Sequence, residues 1–211
     1  MSTQPVPPRR IGVFGGAFDP PHRGHSALAQ AAVRHLALDL LLVVPTGSAW
    51  HKSRPLSAAQ HRMAMSELAF GGIAQVCLDG CEIQRAGPSY TVDTLRDLRQ
   101  RYPGAEFFLL MGQDQAQRLG GWSRAEALPQ LATLCVVGRA DPLDATQTPV
   151  AAFMGHALLA VPMPPVPCSS TAIREALAGG RDTGAMLAPA VARYIAQHTL
   201  YALTLSTENP D

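Results

Sequence analysis

The sequence predicts an α/β protein of one domain, with an open, mostly parallel sheet and helices on both faces. Three observations predict it. Short apolar runs at residues 11–14, 40–44, 106–111, 133–137 and 158–161 alternate with longer stretches of helical periodicity. The run at 40–44 is continuously apolar instead of alternating with polar residues, as a parallel strand covered on both faces is. A chain of 211 residues, 47% hydrophobic and 16% charged, is large and apolar enough for a substantial core and excludes the disordered class.

The elements follow in order. Residues 11–14 end at Gly15-Gly16, which reads as a strand running into a tight turn. Between 24 and 38, Ala27, Leu28, Ala31, Ala32 and Leu36 recur at three- and four-residue spacing, as one buried helix face requires. The second strand, 40–44, leads into a surface loop over 46–56 and a helix over 57–70 capped by Ser57. Extended chain is expected at 75–83, broken by Asp79-Gly80, then a helix at 91–102 and a strand at 106–111. Ser123 and Glu126 form a capping box that opens a helix over 123–128, ahead of the strand at 133–137. After the strand at 158–161 come a stiff Pro-rich segment, a helix over 169–178 stopped by Gly179-Gly180, and a last helix over 189–198 with Pro189 in its first turn. Residues 1–9 and 203–211 are expected to be mobile ends, leaving 10–202 as the domain, with no internal repeat.

A formal charge of +1 provides no overall field for a nucleic-acid polyanion, so any phosphate binding must be local. The longest apolar run, 36–44, is interrupted by Asp39 and is far short of the roughly 18 residues that span a bilayer. The Pro-rich, polar start lacks the apolar stretch of a secretory signal, so a cytoplasmic protein without membrane partners is expected. Cys77, Cys81, Cys135 and Cys168 show no paired zinc-ligand spacing and are expected to be buried or partly buried thiols without a catalytic role.

The most informative stretch is Gly15-Gly16-Ala17-Phe18-Asp19-Pro20-Pro21-His22-Arg23-Gly24-His25, which leaves the first strand and enters the first helix. Adjacent glycines let the backbone approach a phosphate, and successive N–H groups in such a turn form an anion-binding concavity. His22 and His25, three apart at a helix start, face the same way beside its positive end and can bracket one phosphate chain. Late in the chain, Cys168-Ser169-Ser170-Thr171-Ala172-Ile173-Arg174 puts hydroxyls, free N–H groups and a guanidinium at another helix start, which makes an anion clamp. A dehydrogenase would instead need Gly-x-Gly-x-x-Gly after the first strand, a spacing absent here.

Residues 15–25 resemble the GGxFDPxHxGH signature of the nucleotidylyltransferase superfamily, in the form typical of bacterial nicotinate-nucleotide adenylyltransferases, and residues 169–174 resemble its SSTxIR signature. The resemblance runs from about residue 10 to 201 and implies a Rossmann-like, doubly wound fold. It implies an ATP site at Gly15, Gly16, Ala17, Phe18, His22, Gly24, His25, Gly112, Asp114, Ser169, Ser170, Thr171 and Arg174, with His22, His25, Lys52 and Arg174 as the catalytic set. Lys52, in a segment similar to the family's Pro-x-His-Lys, is implied to reach phosphate, with Arg54 as a helper. Tyr90 and Thr91, in a segment similar to SYTxDTL, are implied to seat a pyridine carboxylate.

Asp114 and Trp122 match the family's MGxD…W pattern, which implies ribose and pyridine contacts; Arg139 matches a Gly-Arg whose cation faces the nucleotide. Where many members have a second aromatic or long polar residue after the Trp, this chain has Ser123, so the other wall of the ring pocket is not identified. The implied activity is adenylyl transfer from ATP to nicotinate mononucleotide, with Mg²⁺ arriving on the ATP. Nicotinamide mononucleotide or pantetheine phosphate as acceptor, or a module that binds ATP without turnover, stay open, as does a homo-oligomeric assembly.

Overall fold

The structure is a computed structural model that describes residues 7–47, 55–138 and 152–202. Its elements are β1 (Arg10–Gly16), α1 (Arg23–His35), β2 (Leu40–Pro45), α2 (Ala59–Phe70), β3 (Val76–Leu78), α3 (Cys81–Gln84), α4 (Thr91–Arg101) and β4 (Glu106–Gly112). They continue with α5 (Gln113–Gln117), α6 (Leu128–Leu131), β5 (Thr133–Gly138), the short β6 (Ala152–Phe153) and β7 (His156–Ala157), β8 (Leu159–Pro162), α7 (Ser170–Ala178) and α8 (Pro189–Gln197). Six strands form one sheet in the order β3-β2-β1-β4-β5-β8, and every neighbouring pair is parallel. β6 and β7 form a separate antiparallel hairpin that the sequence reading did not foresee.

The continuous apolar strands are explained by burial on both sides. Ile11, Val13, Leu42, Val44, Leu109 and Met111 point to one face, where Val92, Leu95 and Leu98 of α4 and Leu128 of α6 cover them. Phe14, Leu41, Val43, Phe108 and Leu110 point to the other, under Leu28, Ala29, Ala31 and Ala32 of α1 and Phe70 of α2. A third, smaller cluster of Met65, Ile173, Leu187, Val191 and Ile195 holds α7 and α8 against α2.

Three local expectations are corrected. Ser57 does not cap α2; the helix begins after Ala58, and Ser57 uses its backbone elsewhere: its N–H donates to Asp19 Oδ2 at 3.2 Å and its carbonyl accepts from Arg62 Nε at 2.9 Å. Ser123 and Glu126 form no capping box; Arg124 takes a left-handed conformation (φ 55°) and precedes a 3-10 turn over Ala125–Ala127, which leads into α6. Extended chain stops at Leu78, because the Cys81 N–H bonds Asp79 Oδ1 at 2.9 Å and residues from Cys81 turn into α3. Cys77 is exposed, against expectation; Cys135 is buried, and Cys81 and Cys168 partly so.

No helix among the described residues is long and apolar enough to cross a membrane. The sheet order reverses at β1, which has β2 on one side and β4 on the other. In open parallel sheets that reversal leaves a crevice at the carboxyl ends of the strands, where ligands bind. Gly15-Gly16 ends β1 and Gly112 ends β4 at that crevice.

Candidate active site

The turn that leaves β1 is buried, with Phe18, Asp19 and Pro20 all shielded from solvent, yet its carbonyls lie past the sheet ladder. Buried carbonyls need donors. Arg62 on α2 supplies one, with Nη1 3.1 Å from Ala17 O and 2.7 Å from Thr46 O, while its Nη2 reaches Gly47 O at 3.3 Å. Arg174 Nη1 donates to Asp19 O at 2.8 Å, and Ser170 Oγ donates to Pro20 O at 2.9 Å. The Asp19 carboxylate accepts from Tyr201 Oη at 2.5 Å. Arg62, only 1% exposed, feels its charge. The Asp19–Pro20 peptide is cis.

Beyond this turn His22 takes extended backbone and α1 begins at Arg23. The three-residue spacing stacks the two imidazoles, with centroids 3.7 Å apart and planes 23° apart. His25 Nδ1 accepts the His22 N–H at 3.1 Å, so the neutral His25 ring carries its proton on Nε2. The same ring packs 5.1 Å from Phe18, edge to face. Burial lowers the His22 pKa to about 4, leaving it neutral at neutral pH. The first-turn N–H groups of α1 are already in use: Arg23 N–H bonds Met186 O and Gly24 N–H bonds Cys168 Sγ. The side chains of His22 and His25, rather than the amides of Arg23 and Gly24, are therefore what α1 offers an anion.

The two ends of the chain meet here. Besides the Ser170 and Arg174 bonds, Cys168 Sγ lies 3.2 Å from His22 Nδ1. Ser169 is the N-cap of α7, its Oγ accepting Ala172 N–H at 3.1 Å, and Thr171 Oγ1 accepts from Arg174 Nη2 at 3.1 Å. A Cβ on Gly15 would point into open space above the turn, so both its face and its lack of a side chain leave room for a ligand.

On the other side of the sheet, α4 starts at Thr91 with no side-chain cap; the preceding residue is Tyr90, in extended conformation. Thr91 is thus the first helical residue instead of a capping one. The Arg124 guanidinium lies 5.3 Å over the Tyr90 ring and pairs with Asp93 through bonds of 3.0 and 2.6 Å. Trp122 and Tyr90 both pack, partly buried, at the edge of the same core cluster. Asp114 is exposed in the first turn of α5, directly after the end of β4. Lys52, Arg54 and Arg139 lie outside the described residues.

Four participants escaped the sequence reading. Arg62 sits mid-helix in α2, where a lone Arg ordinarily faces solvent. Tyr201 follows the last helix. Glu82 is buried, accepts from Thr94 Oγ1 at 2.7 Å, and bonds from Thr46 and Ser89 join it; desolvation nevertheless pushes its pKa up. With the 3.2 Å bond from Gly47 N–H to Ser89 Oγ, it ties the end of β2 to the segment holding Tyr90 and Thr91. Arg124, next to the unmatched Ser123, is the fourth. Among the described residues no group of three or more His, Cys, Asp or Glu side chains is placed to hold a metal ion.

Residues 13–176 match the cytidylyltransferase-like family model. A probable nicotinate-nucleotide adenylyltransferase of Albidiferax ferrireducens is 49% identical, covering 92% of this chain and 98% of its own length. One from Methylibium petroleiphilum is 46% identical, over 93% and 94%. The fold is similar to that of the nicotinic acid mononucleotide adenylyltransferase of Plasmodium falciparum complexed with NaAD, with a TM-score of 0.75 at 21% identity over 92% of this chain and 97% of that one.

Two predictions follow from this geometry. Arg62→Met leaves four carbonyls without their donor and Asp19 without its neighbouring charge, and should lower unfolding free energy by about 3–5 kcal/mol in urea denaturation. His22 binds its proton less readily folded (about 4) than unfolded (6.5), so its contribution is whole above pH 6.5 and drains away as pH falls to 4. Relative to a His22→Asn variant, the wild type should lose about 3 kcal/mol across that window in stepped-pH denaturation.

Proposed function

The chain belongs to the nicotinate-nucleotide adenylyltransferases of the cytidylyltransferase-like family, and from that premise we propose how its site divides the work. The enzyme joins the AMP moiety of ATP to nicotinate mononucleotide, giving nicotinate adenine dinucleotide and pyrophosphate, a step of NAD biosynthesis. The acceptor's phosphate oxygen forms a new bond to the α-phosphorus in line. The bond from that phosphorus to the bridging oxygen breaks, and pyrophosphate leaves with the electron pair. A phosphate is already ionised near neutral pH, so the nucleophile needs no general base. Catalysis then consists of positioning and charge stabilisation.

In this reading His22 and His25 donate from Nε2 to oxygens of the α- and β-phosphates. Ser169, Ser170, Thr171 and Arg174 hold the β/γ end over the Gly15-Gly16-Ala17-Phe18 turn, with Gly24 letting the imidazoles close. Gly112 and Asp114 meet the nucleotide sugar at the end of β4, and Lys52 steers the incoming phosphate. Tyr90, Thr91 and Trp122 seat the nicotinate ring, the uncapped start of α4 offering N–H donors to its carboxylate. Arg139, matched to the family's Gly-Arg, is assigned to the nucleotide by that resemblance alone. The groups at the phosphate end are imidazole, guanidinium and hydroxyl, with no set of carboxylates for a hard cation among the described residues, so in this reading Mg²⁺ enters as part of the substrate on the ATP phosphates.

The observation that supports this most is the meeting of residues 168–174 with residues 19–25: Arg174 on Asp19 O at 2.8 Å, Ser170 on Pro20 O at 2.9 Å, and Cys168 3.2 Å from His22. One triphosphate can therefore touch both segments. Pyrophosphate release measured side by side with nicotinate mononucleotide, nicotinamide mononucleotide and pantetheine phosphate tests the acceptor. Nicotinate mononucleotide should give the highest kcat/KM, and a better rate with either competitor refutes the assignment. His25→Ala should lower kcat about 10²–10³-fold in a protein that keeps its circular dichroism, since one donor to developing charge is lost.

A further inference from the structure

We propose that Cys168 is a positioning residue: its thiol donates its proton to Nδ1 of His22 and so fixes the imidazole in the tautomer that presents Nε2–H to the nucleotide. The inference rests on the reading of His22 as a phosphate-binding group. The geometry of the sulfur carries it. Sγ lies 3.2 Å from His22 Nδ1 and at the same time accepts the Gly24 N–H at 3.3 Å. The backbone amide thus occupies the acceptor side of the sulfur and can only donate, leaving the S–H for the imidazole. In the opposite tautomer two N–H groups would crowd one sulfur, and a bare nitrogen lone pair would face an anion.

Three surrounding features agree. A Cβ on Gly24 would stand 3.1 Å from His22 Nδ1 and 3.2 Å from Cys168 Sγ, so the glycine between the histidines is what lets thiol and imidazole meet. Burial raises the Cys168 pKa while the Gly24 amide pulls the other way, and the balance keeps the proton on sulfur. His25 has its own Nδ1 filled by the His22 amide at 3.1 Å. The His22 amide on His25, and the Cys168 thiol together with the His25 amide on His22, therefore give both Nδ1 atoms an acceptor role, which puts the proton of each ring, when neutral, on Nε2.

The test uses Cys168→Ala, which removes the donor, and Cys168→Ser, whose hydroxyl can replace both bonds. Cys168→Ala should lose about 10- to 100-fold in kcat with KM for ATP little changed, as when the hydrogen-bond partner that orients a metal-ligating histidine is removed. Cys168→Ser should recover most of that loss, which a packing defect would not predict. Nitrogen-15 spectra should show His22 as the Nε2–H tautomer in the wild type and in Cys168→Ser, and a mixture in Cys168→Ala. In a His22→Ala background, Cys168→Ala should add nothing. A disabled His22→Ala enzyme beside a fully active Cys168→Ala enzyme overturns this inference alone, as does an unchanged tautomer in Cys168→Ala. A His22→Ala enzyme at the wild-type rate overturns the phosphate-binding reading and this inference with it.

Discussion

A short buried turn whose carbonyls cannot be satisfied locally is the constraint around which the site is built. Past the end of β1 the chain must leave the sheet ladder while still shielded from water, and an unpaired buried carbonyl carries a full desolvation penalty. The donors come from far along the chain: Arg62, 45 residues beyond Ala17, Ser170, 150 beyond Pro20, and Arg174, 155 beyond Asp19. Satisfying that turn therefore forces α2 and α7 to converge on the crevice beside β1. Local hydrogen-bond accounting and assembly of the groups proposed to bind phosphate are the same event.

The electrostatic character of the site follows from that burial. Two imidazoles stacked at 3.7 Å would repel strongly if both were charged in a low-dielectric setting, and the lowered His22 pKa keeps at least one neutral. A neutral His22 ring held by its neighbours is a fixed dipole, ready to meet negative charge without first being reoriented. The permanent positive charges sit around them. Arg62 lies behind the turn, locked on four carbonyls, and Arg174 at its edge is shared between Asp19 O and Thr171 Oγ1.

The sheet was legible because its signal is local and repeated: each strand of a doubly covered parallel sheet must be buried and apolar at successive positions, as residues 41–44, 107–111 and 134–137 are. The motif residues were legible because they cluster at strand ends and helix starts. Capping was less so. Ser57 has the right side chain one residue before the N-cap position, but its backbone is claimed by Asp19 and Arg62, a tertiary demand that no spacing reveals. Ser123 likewise loses to the left-handed turn at Arg124. Arg62 itself was unreadable, since its burial is fixed by carbonyls on two loops distant in sequence, and Glu82 by hydroxyls from Thr46, Ser89 and Thr94. Cys168 looked like a small apolar filler because its partners, His22 and Gly24, are about 145 residues away in the chain.

The helix α2 links these levels. Arg62 and Met65 lie three apart and so share one side of the helix. Arg62 reaches up to the loops after β1 and β2, while Met65 packs with Ile173 of α7 and with Val191 and Ile195 of α8. Tyr201, just past α8, closes the circuit by bonding Asp19 and touching Met65 Sδ at 3.9 Å. The third apolar cluster is small, but through Ile173 it packs the helix that carries Arg174 against α2 and α8. Loss of packing there would be felt first at Arg174 and the turn it bonds, and only then in the sheet, whose two large cores lie elsewhere.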